Sequence, residues 1–448
     1  MNRRTFLLSL GSSAAVHAAP YPQRPNVILA MADDQGWGDT GYNGHPILKT
    51  PTLDAMARAG VRFDRFYSGA PVCSPTRGSC LTGRHPYRYG IFFANADTGA
   101  DDPSKYILPD RERTVAEYLK PLGYTTGHFG KWHLGDFAGP RKSAPTDNGF
   151  DEFFSTTRKV ATLDPDGYWT QEGRIEAART TGDDSELLMG RALDFIRRAA
   201  RRNQPFLAVI WFHAPHVPFR AGAKHRAPYS SHPESTQHYW GSIASVDEQM
   251  GRLRSTLEEL GIRRDTMLWY ASDNGPEGDR REPASPGAAG PWRGRKRSLF
   301  EGGVRVPGLL EWPRRFPKPF VVKAAASTSD YLPTVLSALQ QPIAPASGFD
   351  GINLLPLLQQ RKPSRESAIG FETMGNTRGS PKLALIEERF KLLSNLEESG
   401  DLLFDLSSDP GETTNVAAKH PAIHVRMKAA LSQWREACAR SRQGLPEP

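Results

Sequence analysis

The chain is short of cysteine. Cys73, Cys80 and Cys438 are the only three in 448 residues, too few for a disulfide framework, so a buried core has to hold the fold. No stretch approaches the roughly 18 consecutive apolar residues of a membrane-crossing helix, and neither a solenoid-type repeat nor a low-complexity tract is found. What is present is an ordinary globular balance, 38% hydrophobic against 24% charged residues, over a length that allows roughly two to four domains. Lys and Arg exceed Asp and Glu by 57 to 49, giving +8, which suits nucleic acid, a membrane surface or an anionic small substrate. The position of the charge has to decide among them.

Two of the positive charges stand at the start. Arg3-Arg4 is followed by an apolar run from Phe6 to Val16, the pattern of a twin-arginine export signal, and Val16-His17-Ala18 offers a small-residue cleavage site. Residues 1–19 are therefore expected to be a signal peptide and the product periplasmic or secreted. The signal contains no cysteine to carry a lipid, so no membrane anchor is expected.

Three continuous apolar runs, Val27–Met31, Phe206–Phe212 and Met267–Ala271, read as strands buried on both faces. Helical patterns lie between them: Thr50-Pro51 to Gly60, with Thr50 as N-cap, and Asp184 to Arg202. The alternation predicts an α/β fold with a mainly parallel or mixed sheet sandwiched by helices. Beyond residue 345 short strand-like pieces at 371–372, 383–386, 390–393 and 402–406 precede a helix near 422–439, predicting a smaller C-terminal antiparallel sheet plus helix. The expected division is 24–345 for the larger domain and 346–448 for the smaller. Each long strand is followed by polar residues at its carboxyl end: Asp33-Asp34, His213-Ala214-Pro215-His216 and Asp273-Asn274-Gly275. In parallel sheets ligands bind beyond those ends, so one shared site is expected.

The sharpest local motif is Cys73-Ser74-Pro75-Thr76-Arg77. Ser74 as N-cap and Pro75 at the first helical position would hold Cys73 at a helix N-terminus, where an anion is favoured, with Arg77 on the same side. On spacing alone Cys73 reads equally well as a buried structural thiol. Arg293-Gly294-Arg295-Lys296-Arg297 would by itself suggest a nucleic-acid patch, but no recognition helix, aromatic series or zinc spacing accompanies it, so no nucleic acid is expected. The stretch Pro276–Gly294 reads as a long surface loop.

Taken with the Leu81-Thr82-Gly83-Arg84 that follows it, the Cys73 motif resembles the signature of the formylglycine-dependent sulfatases of the alkaline phosphatase superfamily, in their N-acetylgalactosamine-6-sulfatase and arylsulfatase-like branch. The resemblance extends through Asp33-Asp34-Gln35-Gly36, Gly130-Lys131-Trp132-His133, Ala214-Pro215-His216, Ser272-Asp273-Asn274-Gly275, Lys296 with Glu301-Gly302-Gly303, and Leu403–Pro410, about nine-tenths of the chain. It implies that a dedicated maturation enzyme oxidises Cys73 to formylglycine. One hydroxyl of the hydrated aldehyde would attack sulfur, and loss of a proton from the other would expel sulfate. It implies Ca²⁺ held by Asp33, Asp34, Asp273 and Asn274 with residue 73. Lys131 and Lys296 would bind sulfate oxygens, Lys296 or His216 would protonate the departing alkoxide, and His133 would take the proton that drives release. His213 would line the substrate pocket or simply end its strand. The implied substrate is a sulfated carbohydrate, gripped by loops 92–109, 158–181 and 276–292, in which Tyr168 and Trp169 could meet sugar rings. Two rivals stand beside this reading: a phosphodiesterase or phosphonate monoester hydrolase of the same superfamily, and an inactive glycan-binding homologue.

Overall fold

A computed structural model describes residues 24–94, 106–139, 142–175, 180–278, 285–343, 348–374, 381–396 and 400–445. The proposed export signal lies outside the described residues. Among those described, no helix is long and apolar enough to cross a membrane.

A ten-stranded sheet forms the centre, in the order Phe320–Val322, Val61–Phe63, Gly308–Glu311, Thr266–Ser272, Asn26–Ala32, Phe206–Trp211, Thr125–Lys131, Glu152–Thr156, Tyr168–Thr170 and Gly173–Arg174. The five strands from Thr266–Ser272 to Glu152–Thr156 are parallel, and antiparallel pairs flank them on both sides. Successive residues enter opposite cores, as strand geometry requires. Val27, Leu29 and Met31 point to one face, while Ile28, Ala30 and Ala32 point to the other. Helices Asp184–Arg201, Glu234–Glu259 and Pro51–Ala59 cover the second face, and Cys73–Thr82 with Tyr331–Ala338 packs on the first. Both faces being buried explains why the strands read as unbroken apolar runs.

Two expected caps take other forms. Thr50 does not cap its helix with its side chain. Instead the carboxylate of Asp247, from helix Glu234–Glu259, accepts from Thr52 N at 2.9 Å and Leu53 N at 2.8 Å, satisfying orphan donors of the first turn. Helix Cys73–Thr82 begins two residues earlier than expected, with Val72 at the cap position and no side-chain cap.

The smaller sheet joins Ile369–Glu372, Leu383–Ile386, Phe390–Ser394 and Leu402–Asp405 in antiparallel order. One face packs on Tyr67, Leu299, Phe300 and Val304 of the larger body; the other receives Met427 and Leu431 of the helix Pro421–Arg442. Leu354, Leu355, Leu357 and Leu358 still belong to the larger core. Ile369 and Phe371 pack in the cluster of the small sheet.

A buried ion cluster joins the two bodies. Lys391 Nζ, from the small sheet, lies 2.9 Å from Glu301 and 2.9 Å from Glu412, with all three side chains withdrawn from solvent. Burial, with Glu301 nearby, pushes the Glu412 carboxyl up to about 7 against the pull of Lys391. Removing one member of such a cluster leaves uncompensated buried charge. Lys391→Met is expected to destabilise the protein by about 3–5 kcal/mol, read as a lowered denaturation midpoint; an unchanged midpoint would contradict the assignment.

Candidate functional site

The carboxyl ends of the central strands converge on one buried cluster. Asp33 and Asp34 follow Asn26–Ala32, Asp273 and Asn274 follow Thr266–Ser272, Lys131 ends Thr125–Lys131, and His216 lies five residues beyond Phe206–Trp211. The register fixes this convergence, because Ala32 pairs with Ser272, and Trp211 with both Met31 and Gly130. Gly130 is needed where the strands part. Its φ is +102°, and a Cβ there would sit 1.9 Å from the Trp211 carbonyl oxygen.

Cys73 reaches the cluster from the first turn of its helix and is 2% exposed. Its Sγ lies 3.5 Å from His133 Nδ1. Ser74 does not cap the helix; its hydroxyl donates to the His133 carbonyl at 2.6 Å and fastens the two segments together. Asp34 and His133 both have left-handed backbones, φ 64° and 56°, a conformation costly for non-glycine residues and concentrated at functional sites.

Charge is closely matched. Lys131 Nζ donates to Asp33 Oδ2 at 2.6 Å. Arg77 donates to Asp273 Oδ2 at 2.6 Å and to the Lys131 carbonyl at 2.8 Å, with its guanidinium carbon 5.1 Å from the centre of the Trp211 ring. Lys296 Nζ lies 2.7 Å from the Asp34 carboxylate. Arg77 thus acts mainly as a brace between two strand ends. Burial alone would raise Asp33, but Lys131, His216, Arg77 and Lys296 hold its carboxyl well below the usual range. Burial and the adjacent Asp33 push Asp273 up to about 7, despite Arg77. Burial would lower Lys296, yet Asp34 foremost among its neighbours lifts it above the ordinary lysine range. Burial raises the Cys73 thiol, with Lys131 and Lys296 opposing.

The donor set suits a hard cation. Asn274 gives its amide hydrogens to Asp34 Oδ1 at 2.7 Å and the Gly275 carbonyl at 2.8 Å, leaving Asn274 Oδ1 without a partner among the described residues. Asp33 Oδ1 is likewise buried and unpartnered. Buried oxygens of this kind are rare unless something else satisfies them, and a divalent cation among oxygen ligands would do so. Atoms of Asp33, Cys73 and Asp273 lie within 4.8 Å of one another, as do atoms of Asp33, Asp34 and His216.

Of the two places expected for His213, the structure shows the strand end and not the pocket. The side chain is fully buried, with Nε2 2.7 Å from Thr156 Oγ1 and Nδ1 2.9 Å from Asp184 Oδ2, so no ring nitrogen is left for a substrate. It belongs to the core at its strand end. Tyr168 is also buried, stacked on Phe154 with its hydroxyl on Asp184, and offers no face to a sugar, while Trp169 is half-buried and packs edge-on against Phe137. The described parts of 276–294, residues 276–278 and 285–294, are less of a surface loop than expected. Gly287 and Ala289 are buried, and Ala288 exchanges backbone bonds with Gly38 N and the Asp39 carboxylate. The basic run is spent internally: Arg293 stacks on Phe300, Arg295 donates to the Gly287 carbonyl, and Arg297 pairs with Glu277. Glu277, inside that supposed loop, is the residue sequence reasoning missed. It lies 3.3 Å from Lys296 Nζ, and only its place just after Asp273-Asn274 could have pointed to it.

His216 faces the cluster with Nε2 3.5 Å from Asp34 Oδ2 while its Nδ1 bonds the Val217 carbonyl. A carbonyl can only accept, so Nδ1 carries the proton and a neutral ring presents a bare Nε2. Burial pushes the imidazole down to about 4. In chelator-treated protein its ring resonances should stay those of neutral histidine from pH 8 down to about 4. The folded value lies below the unfolded ~6.5, so the unfolded chain takes the proton first; the stability of the neutral ring is complete above ~6.5 and lost as pH falls toward the folded value. An NMR midpoint near the unfolded value would contradict this environment.

Comparison with known proteins gives the following. The profile of the sulfatase family matches residues 25–341, and that of the N-sulphoglucosamine sulphohydrolase C-terminal region matches 292–437. The chain is 34% identical over 376 residues to the N-acetylgalactosamine-6-sulfatase of Canis lupus familiaris, covering 79% of this chain and 69% of that one. It is 30% identical over 482 aligned positions to the arylsulfatase A of Homo sapiens, covering 96% and 90%. Its fold superimposes on Ps i-CgsB in complex with k-i-k-neocarrahexaose with a TM-score of 0.82 at 25% identity, covering 92% and 93%.

Proposed function

This chain belongs to the sulfatase family of sulfuric ester hydrolases, and from that premise we propose that it hydrolyses sulfate esters of carbohydrates through residue 73. The observation that carries the reading is the position of Cys73: at a helix start, between the oxygen cluster of Asp33, Asp34, Asp273 and Asn274 and the ammonium groups of Lys131 and Lys296. An unmodified thiol suits nucleophilic work poorly here, since burial raises it and the thiol form attacks weakly. Oxidised to formylglycine by a maturation enzyme and hydrated, residue 73 supplies a nucleophilic hydroxyl and a second hydroxyl whose deprotonation releases sulfate. Ca²⁺ held by Asp33, Asp34, Asp273 and Asn274 supplies charge neutralisation for sulfate.

The remaining residues divide the work. Lys131 and Lys296 are compact cations for sulfate oxygens. Lys296 is the better proton donor to the departing alkoxide, because Asp34 keeps it charged while His216 is neutral with its proton turned to Val217. His216 Nε2 is then an acceptor toward the site. His133 faces residue 73, and burial, reinforced by Lys131, holds its ring neutral, which leaves it able to take a proton there. Arg77 and Ser74 keep these groups in register. The carbohydrate substrate is supported by the N-acetylgalactosamine-6-sulfatase relative and by the neocarrahexaose in the Ps i-CgsB complex. The twin-arginine pattern supports export to the periplasm or beyond.

The test is mass spectrometry of the tryptic peptide Phe66–Arg77 from protein made in its native host, paired with a Cys73→Ala variant. The expected peptide carries CHO in place of CH₂SH at position 73, and the variant is expected to lose at least about 10⁴-fold in sulfate release. An intact thiol together with turnover, or wild-type rates in the variant, would overturn the mechanism.

A further inference from the structure

Lys296 is paired with two carboxylates. Asp34, with a side chain 1% exposed, stands on the inner side, and Glu277, 24% exposed, stands toward the solvent at 3.3 Å. An ammonium has three N–H donors. One is given to Asp34 in a hydrogen bond of 2.7 Å, and the charge of Glu277, 3.3 Å from Nζ, biases how the ammonium turns about that bond. Glu277 is itself fixed. Its Oε2 accepts from Arg297 Nη2 at 3.1 Å and its Oε1 from both Arg297 Nη1 and the backbone N–H of Gly278. Arg297 has a left-handed backbone, φ 73°, and donates its own N–H to the Pro71 carbonyl at 2.8 Å, two residues before Cys73. That turn brings its guanidinium back onto Glu277. Burial would raise Glu277, but Arg297 and Lys296 hold it down to about 2, so it is charged throughout the neutral range.

Resting on the sulfatase reading above, we propose that Glu277, anchored by Arg297, is a positioning residue that turns the Lys296 ammonium so that one N–H faces the ester oxygen that departs. As the bond between sulfur and that oxygen breaks, its electron pair stays on the oxygen, which takes a proton from Lys296 Nζ; the sulfuryl group passes to the hydroxyl at residue 73, which gives up its own proton, and that proton, passed through water, restores the lysine. Without Glu277 the ammonium keeps its tie to Asp34 and its charge for sulfate, but it swings about that tie. The loss therefore falls on proton delivery and grows with the basicity of the leaving oxygen.

The experiment compares kcat/KM of wild type and Glu277→Gln on 4-nitrophenyl sulfate, whose phenolate leaves without help, and 4-methoxyphenyl sulfate, whose more basic oxygen needs the proton. Misplacing a proton donor costs up to about 10²-fold, so Glu277→Gln should lose about tenfold or more on the methoxy ester and no more than about threefold on the nitro ester. Lys296→Ala should show the same leaving-group pattern, and adding Glu277→Gln to it should cost nothing further, as coupled residues require. Equal losses on both esters, no loss on either, or additive losses in the double variant would overturn the inference while leaving the sulfatase reading intact. A matured wild-type enzyme that releases sulfate from neither ester and from no sulfated carbohydrate would overturn the sulfatase reading, and this inference with it.

Discussion

The site depends on a single constraint: charge taken out of water must be matched nearby. Asp33, Asp34 and Asp273 are buried together, and Arg77, Lys131 and Lys296 are buried against them. Isolated, any of these groups would cost several kcal/mol or change its protonation. The match explains features that otherwise look unrelated. Arg77 must come from the helix that starts at Cys73, Lys131 from a strand bent at Gly130, and Lys296 from a loop returning across the sheet ends. The balance is still incomplete in one respect, since Asp33 Oδ1 and Asn274 Oδ1 lack partners among the described residues. That is where a hard cation fits.

The small C-terminal sheet supports the same cluster at one remove. Lys391 ties it to Glu301, and Glu301-Gly302-Gly303 packs directly on the segment carrying Asn274. Gly275 N donates to the Gly303 carbonyl at 2.9 Å, and a Cβ on Gly275 would stand 1.9 Å from the Gly302 carbonyl oxygen. Gly302 N in turn donates to the Arg293 carbonyl, at the base of the loop that delivers Lys296. Asn274 and Lys296 therefore rest on an element anchored outside the larger body, and close backbone contact is why glycine recurs there.

Much of this was legible in the sequence. The three apolar runs became adjacent parallel strands, and the polar residues after them meet, because burial on both faces leaves a strong signal and topology puts ligands at one edge. Strand Thr125–Lys131 gave no such signal. Its core positions include Thr126, Gly127 and His128, tolerated because His128 bonds Ser155 and lies edge-on between Trp132 and Trp211. His213 and His216 looked alike in sequence; only tertiary partners, Asp184 and Thr156 for one and the Asp34 cluster for the other, separate them. Glu277 was hidden because a loop rich in glycine and proline has no periodicity to read, whatever it contacts.

The central claim is that the cluster is built for a sulfate monoester and not for a phosphorus ester. The most direct measurement is the ratio of kcat/KM for 4-nitrophenyl sulfate to that for bis(4-nitrophenyl) phosphate, with calcium present and residue 73 matured. A ratio well above one is predicted. A ratio well below one would contradict the account and make the protein a phosphodiesterase on the same fold.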